Sequence, residues 1–238
     1  MQIRIPYTPR KFQNYLHQRI RDYRWSVLVC HRRFGKTVCM INHLLMAALT
    51  SKVSNPRYAY IAPTFKQAKS IAWDYIKQFT HKIPGVRFNE TELRVDLPNK
   101  ARITLLGSEN CDGLRGIYLD GCVIDEYANV NDRLFPEIIR PALSDRKGFC
   151  IFIGTPQGMN NNFYELFQHA KGADDWFYFK AKASETKVVD QDELTKAKEV
   201  MGENKFKQEF ECDWIANIEG SIYGKTLAKM ENQRQITR

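Results

Sequence analysis

The sequence predicts an α/β fold, a mainly parallel sheet flanked by helices. Three observations predict it. Short apolar runs recur along the 238 residues, each about the length of a buried strand. Stretches with an apolar stripe at helical spacing alternate with them, the pattern of a doubly wound sheet. Polar residues gather just after the apolar runs, at the edge where such sheets bind ligands.

Each element has its own signal. Residues 25–30, WSVLVC, read as a buried strand, and 36–49, KTVCMINHLLMAAL, as a helix with an apolar stripe. RYAYIAP (57–63) is a second strand closed by Pro63. Thr64 is placed to cap a helix over FKQAKSIAWDYIKQFTHK, residues 65–82. ELRVDL and RITLLGS flank PNKA and predict a hairpin. LDGCVIDE (119–126) and GFCIFIGT (148–155) are two further strands, with a helix expected between them and another at about 161–171. From residue 185 the chain turns charged and helical, VDQDELTKAKEVMGENKFKQEFECDW. The expected organisation is therefore a core over 1–184, a helical subdomain over 185–218, and a separate closing segment over 219–238.

Composition narrows the function. A hydrophobic share of 43% and a charged share of 26% suit a globular chain. The net charge of +9 favours a polyanionic partner or a solvated basic surface. The 6 cysteines form no C-x-x-C pair, so buried free thiols are expected rather than a zinc site. The N-terminus lacks an apolar signal region, and the longest apolar stretch, LLMAAL, is too short to cross a membrane.

The chemistry centres on Cys30, His31, Arg32, Arg33, Phe34, Gly35, Lys36 and Thr37, written CHRRFGKT. It keeps the Gly-Lys-Thr ending of a phosphate-binding loop, with Cys30 where the first glycine of that pattern stands. The loop follows a strand and opens a helix, so its N–H groups and the helix's positive end surround an anion. Lys36 is expected on the β- and γ-phosphates of ATP, and Thr37 on Mg²⁺. Gly35 retains the freedom to turn left-handed, while Cys30 reads as the end of a buried strand. Asp125 and Glu126 follow another strand. Asp125 is expected to hold Mg²⁺ and Glu126 to orient or deprotonate the attacking water. Thr155, ending a third strand in FIGTPQG, can sense the γ-phosphate or merely form a turn. Gln13 can read adenine's edge or be an ordinary surface residue. Arg32 and Arg33 can touch phosphate. Arg115, between glycines in DGLRG, can project toward a neighbouring subunit. Arg140 is expected to pair with Glu137 or be solvated.

Taken together, RRFGKT, IDEYA, GTPQG and KFKQEFECDWIANIEGSIYG resemble the large terminase subunit of tailed bacteriophages. The resemblance covers nearly the whole chain. It implies a P-loop NTPase core of the additional-strand, catalytic-glutamate type (ASCE, RecA-like). It also implies an ATP-driven motor that packages double-stranded DNA into a procapsid. The motor would work as a ring, usually a pentamer, at the capsid portal in the host cytoplasm, with a small terminase subunit. Carried over, Gln13 becomes the adenine-side motif and Cys30 to Thr37 the Walker A loop. Asp125 and Glu126 become Walker B and the catalytic glutamate, and Thr155 part of the coupling motif. Arg115 is favoured as the trans-acting finger and Arg32 as a sensor. Lys66, Lys69 and Arg102 are candidate DNA contacts. In the family the stretch over 219–238 leads into a nuclease domain whose metal-binding acids would come after residue 238, so the expectation is a truncated ATPase domain that hydrolyses ATP weakly and cuts no DNA. Two other classes stand beside it, a superfamily 2-type helicase or other DNA translocase, and a nucleotide-free DNA-binding module.

Overall fold

The computed structural model describes residues 4–216. The closing segment expected over 219–238 lies outside the described residues, as do the last two residues of the expected helical subdomain. One sheet organises the described chain, in the order β3-β4-β5-β2-β6-β7-β1-β8. Its parallel strands are β1 (Trp25–Cys30), β2 (Arg57–Ala62), β5 (Arg102–Gly107), β6 (Gly121–Asp125), β7 (Phe149–Gly154) and β8 (Trp176–Ala181). β3 (Arg87–Asn89) and β4 (Arg94–Asp96) extend one edge in antiparallel fashion, and β4 with β5 forms the expected hairpin.

The central strands are buried on both faces, which is why they read as unbroken apolar runs. In β1, Leu28 and Cys30 face one layer while Val27 and Val29 face the other. β7 divides the same way, Ile151 and Ile153 against Cys150 and Phe152. One layer comes from α1 (Lys11–Arg19) and α2 (Lys36–Thr50). It is completed by a composite helix of α3 (Phe65–Ala68), a π-helical turn (Lys69–Trp73) and α4 (Asp74–Thr80). Thr64 caps that helix by accepting the Gln67 N–H, as expected.

The other layer is less regular. The helix expected between β6 and β7 is reduced to a 3-10 turn, a π turn over Leu134–Ile139 and the short α5 (Arg140–Ala142). Pro136 and Pro141 lie within it, and each removes an N–H that a continuous α-helix would need. Leu134, Ile138 and Ile139 still bury against the sheet beside Phe163 and Phe167 of α6 (Asn162–Gly172). After β8, α7 (Ala183–Thr186), α8 (Gln191–Met201) and α9 (Glu203–Phe210) close on a small core of their own, Ala183, Leu194 and Phe210. All six cysteines are free and buried.

Candidate nucleotide site

Strand order creates the site. β6, β7 and β1 are parallel neighbours, so the residues that follow them emerge side by side at one edge. Asp125 ends β6, Thr155 follows β7, and the loop 31–35 leaves β1 for α2.

Gly35 is the N-cap of α2 with φ +88°, a conformation L side chains rarely adopt. A Cβ there would also meet Gln13 Nε2 at 2.9 Å. Lys36 and Thr37 therefore start the helix with their side chains toward the β6 and β7 ends. Lys36 Nζ donates to Thr155 Oγ1 at 3.0 Å and to the Cys30 carbonyl at 3.4 Å, and lies 3.8 Å from Glu126 Oε1. Thr155, buried, in turn donates to the Cys30 carbonyl at 3.4 Å. Thr37 Oγ1 donates to Asp125 Oδ2 at 3.4 Å. Asp125 Oδ1 accepts the Glu126 N–H at 2.9 Å. The structure thus brings together Lys36, Thr37, Asp125, Glu126 and Thr155.

Sequence reasoning missed Tyr60. This β2 residue is fully buried and donates its hydroxyl to Asp125 Oδ2. Burial, then the neighbouring carboxylate, pushes its pKa well above the ordinary value, so it stays a donor. The only signal was its place in an apolar strand, which reads as core.

The rest of the loop serves the site through backbone more than side chain. Cys30, His31 and Phe34 are buried. The Cys30 thiol is pushed up by burial and is chemically quiet. His31 is lowered by burial, and its ring nitrogens lie 2.6 Å from the Arg32 carbonyl and 2.7 Å from Thr186 Oγ1. Arg32 and Arg33 are exposed, and Arg33 sits at φ +69°. Gln13 is 4% exposed, not a surface residue. Its Oε1 accepts the Arg10 N–H at 3.0 Å and its Nε2 donates to the Gly35 carbonyl at 3.2 Å. These two bonds orient the amide and leave one N–H uncommitted.

Glu126 also has a left-handed backbone, φ +49°. Burial raises its pKa, Lys36 opposes the rise, and Asp125 and Glu209 add to it. Its side chain remains 35% exposed, which leaves a path for water.

The arginines separate clearly. Arg115 stands exposed, paired with Asp112 Oδ1 at 3.2 Å and Glu137 Oε2 at 3.3 Å. Glu137 is also held by Arg133 at 2.9 Å. The expected Arg140–Glu137 pair is therefore not formed; Arg140 is solvent-exposed, the other outcome foreseen. Of the three expected DNA contacts, Arg102 is drawn into an ion pair with Asp96 at 2.6 Å, whereas Lys66 and Lys69 are exposed.

The donor set fits a magnesium nucleotide. Mg²⁺ keeps several waters and needs only one or two protein oxygens, and Thr37 and Asp125 supply a hydroxyl and a carboxylate. The left-handed Gly35 and the start of α2 suit a phosphate.

A parallel sheet with a Gly-Lys-Thr loop beside an Asp-Glu pair defines a P-loop NTPase of RecA-like architecture. Residues 29–229 match the family model described as terminase large subunit, T4likevirus-type, N-terminal, and the chain belongs to that family. The terminase large subunit of Escherichia phage T5 is 25% identical over 209 residues, covering 84% of this chain and 46% of that protein. That of Thermus virus P23-45 is 31% identical over 126 residues, 45% of this chain and 26% of the other. The chain thus spans under half the length of these relatives. Among solved structures, the Thermus phage P74-26 large terminase ATPase domain superposes with a TM-score of 0.75 at 21% identity, covering 89% of this chain and 96% of that one. The large terminase of a thermophilic bacteriophage, solved in complex with ADP, gives 0.73 at 13% identity, covering 86% and 53%.

Proposed function

We propose that this chain is the ATP-hydrolysing unit of a motor that drives double-stranded DNA into a procapsid. The observation that carries it is the convergence of Lys36, Thr37, Asp125, Glu126 and Thr155 on one sheet edge, in a chain of the terminase family. The match of residues 29–229 to the terminase family model favours this over a helicase.

The chemistry follows from the contacts. Lys36 is held at 3.0 Å by Thr155 and is free to exchange that hydroxyl for phosphate oxygens. Thr37 and Asp125 would hold Mg²⁺, which would neutralise charge on the phosphates. Glu126 takes the proton of the attacking water; burial raises it toward the range a general base needs. Thr155 registers the state of the γ-phosphate because it touches both Lys36 and the end of β1. Gln13 has one N–H left for the adenine edge, and holding Gly35 links that contact to the loop. Arg32 serves as sensor, with Arg33 exposed beside it on the phosphate loop. Arg115, exposed, serves a neighbouring subunit in a homo-oligomeric ring, a pentamer at the portal. Double-stranded DNA and a small terminase subunit complete the machine in the host cytoplasm. Lys66 and Lys69 supply sequence-independent phosphate contacts.

The test is ATP hydrolysis by the purified chain, with and without Mg²⁺ and DNA. Lys36→Ala should lower turnover at least ~100-fold, as loss of a transition-state charge contact does. Turnover unchanged in that variant would leave a DNA-binding module with a degenerate loop.

A further inference from the structure

The segment FKQEFEC, residues 206–212, marks the family in sequence, and the reading above gives it no task. Its helix, α9, has two working faces. On one, Phe206 and Phe210 stack at 5.2 Å, and Phe210 packs into the helical subdomain's own core with Ala183 and Leu194. On the other, Gln208 and Glu209 meet the nucleotide site.

Gln208 is completely buried. Its Nε2 donates to the Pro156 carbonyl at 2.7 Å and to Gln157 Oε1 at 3.1 Å, directly after Thr155. Its Oε1 has no hydrogen-bond partner. A leucine would remove that unpaired oxygen but take the donor away from the Pro156 carbonyl and Gln157 Oε1, so the amide's distinctive contribution is its donors. The next residue reaches the phosphate loop. The last carbonyls of a helix lack partners within it, and here the Glu209 carbonyl accepts the Arg32 N–H at 2.7 Å. The Glu209 carboxylate, nearly buried, faces the Arg32 guanidinium at 3.8 Å and Lys205 at 3.0 Å. Two consecutive residues of one helix thus hold both segments that face the phosphates.

We propose that Gln208 and Glu209 are positioning residues that pass the state of the nucleotide site to the helical subdomain. Phosphate competes with the Glu209 carboxylate for Arg32. Movement of Thr155 carries Pro156 and Gln157, and Gln208 with them. Because Phe206 and Phe210 tie α9 to α7 and α8, either change shifts the subdomain as a unit. This inference rests on the nucleotide-site reading.

Hydrogen–deuterium exchange on the whole chain, with and without Mg²⁺ and ADP or ATPγS, tests it. In the unmodified chain, nucleotide should protect residues 31–37 and change exchange across 191–210 by about fivefold or more, the lower range of site-to-site coupling. In Gln208→Leu, protection of 31–37 should persist while the response of 191–210 is lost. Glu209→Gln, which keeps the carbonyl and removes the charge that faces Arg32 and Lys205, should reduce that response and serves if Gln208→Leu folds poorly. An undiminished response of 191–210 in both variants overturns the proposal, as does no response in the unmodified chain when 31–37 are protected. If nucleotide fails to protect 31–37 in the unmodified chain, the nucleotide-site reading falls and this inference with it.

Discussion

Acidification should destabilise this fold through a pair of buried histidines. His17 of α1 and His43 of α2 stack with ring centroids 5.4 Å apart and planes 1° apart. Their Nδ1 atoms lie 3.2 Å apart, so one must carry a proton and the other a lone pair. Tyr7 lies 3.0 Å from His17 Nε2 and Cys39 lies 3.7 Å from it. Burial pushes both of these acids upward, so neither provides a negative charge. Burial, with Arg21 adding to it, lowers His17 to about 4. Burial, then His17 and Arg21, lowers His43 to about 3.

The sign follows from proton counts. Below 6.5 the unfolded chain protonates both rings, while the folded chain does not until pH approaches 4 and 3. The unfolded state binds more protons in that window, so stability is present above it and falls as pH drops through it. At about pH 5 each ring costs roughly 2 kcal/mol at 1.36 kcal/mol per pH unit, or about 4 kcal/mol for the pair. That is a large share of the 5–15 kcal/mol typical of a domain. Urea unfolding at about pH 7.5 and pH 5 reads the difference. His43→Gln should lose about half of it, and the double variant with His17→Gln nearly all. A pH dependence unchanged in the double variant would refute the assignment.

Other perturbations address the site. Tyr60→Phe removes the hydroxyl on Asp125 Oδ2. It should raise the Mg²⁺ concentration for half-maximal nucleotide binding about tenfold, in the range for residues supporting a metal ligand, with metal-free ADP binding unchanged by calorimetry. Arg115→Ala should leave hydrolysis by the monomer within about twofold, because its ion pairs are exposed ones worth little to the fold. In the ring proposed above the same change should cost at least ~100-fold; an equal loss in the strict monomer would move the residue into its own site.

Much of the fold was legible because its central strands are buried on both faces. WSVLVC and GFCIFIGT carry no charged residue that would confuse the run with a surface helix. β8 was not anticipated: WFYFKA lies at the sheet's far edge beside β1, and its exposed Tyr178 and half-buried Lys180 blur the apolar signal. The Asp-Glu pair and Gly-Lys-Thr loop were readable as motifs, but their adjacency was not. It depends on β1 entering the sheet next to β7, which lies more than a hundred residues later. Tyr60 was illegible for the same reason, since its partner Asp125 is 65 residues away. For Arg140 the solvated alternative holds, because another arginine reaches Glu137 first. Arg133 lies four residues before Glu137 and captures its carboxylate, while Arg140 leads into a proline-bearing turn.

Strain at two non-glycine residues shows where this site gives up stability for function. Arg33 and Glu126 both occupy the left-handed region, at φ +69° and +49°, where an L side chain costs about 1–2 kcal/mol. At 126 the conformation accomplishes two things together. It turns the backbone N–H onto Asp125 Oδ1 at 2.9 Å and sets the carboxylate 3.8 Å from Lys36. Glycine would satisfy the first requirement without strain and could not meet the second. Glu126→Gly and Glu126→Ala should therefore be equally inactive in hydrolysis while differing in stability. Alanine keeps the strained Cβ; glycine relieves it but loses about 0.5–1 kcal/mol through its freer unfolded chain. The glycine variant should come out more stable than the alanine variant by up to about 1.5 kcal/mol in urea unfolding. An alanine variant clearly more stable than the glycine one would show that residue 126 is not held left-handed in solution, and the water-orienting role proposed for Glu126 would lose its geometry.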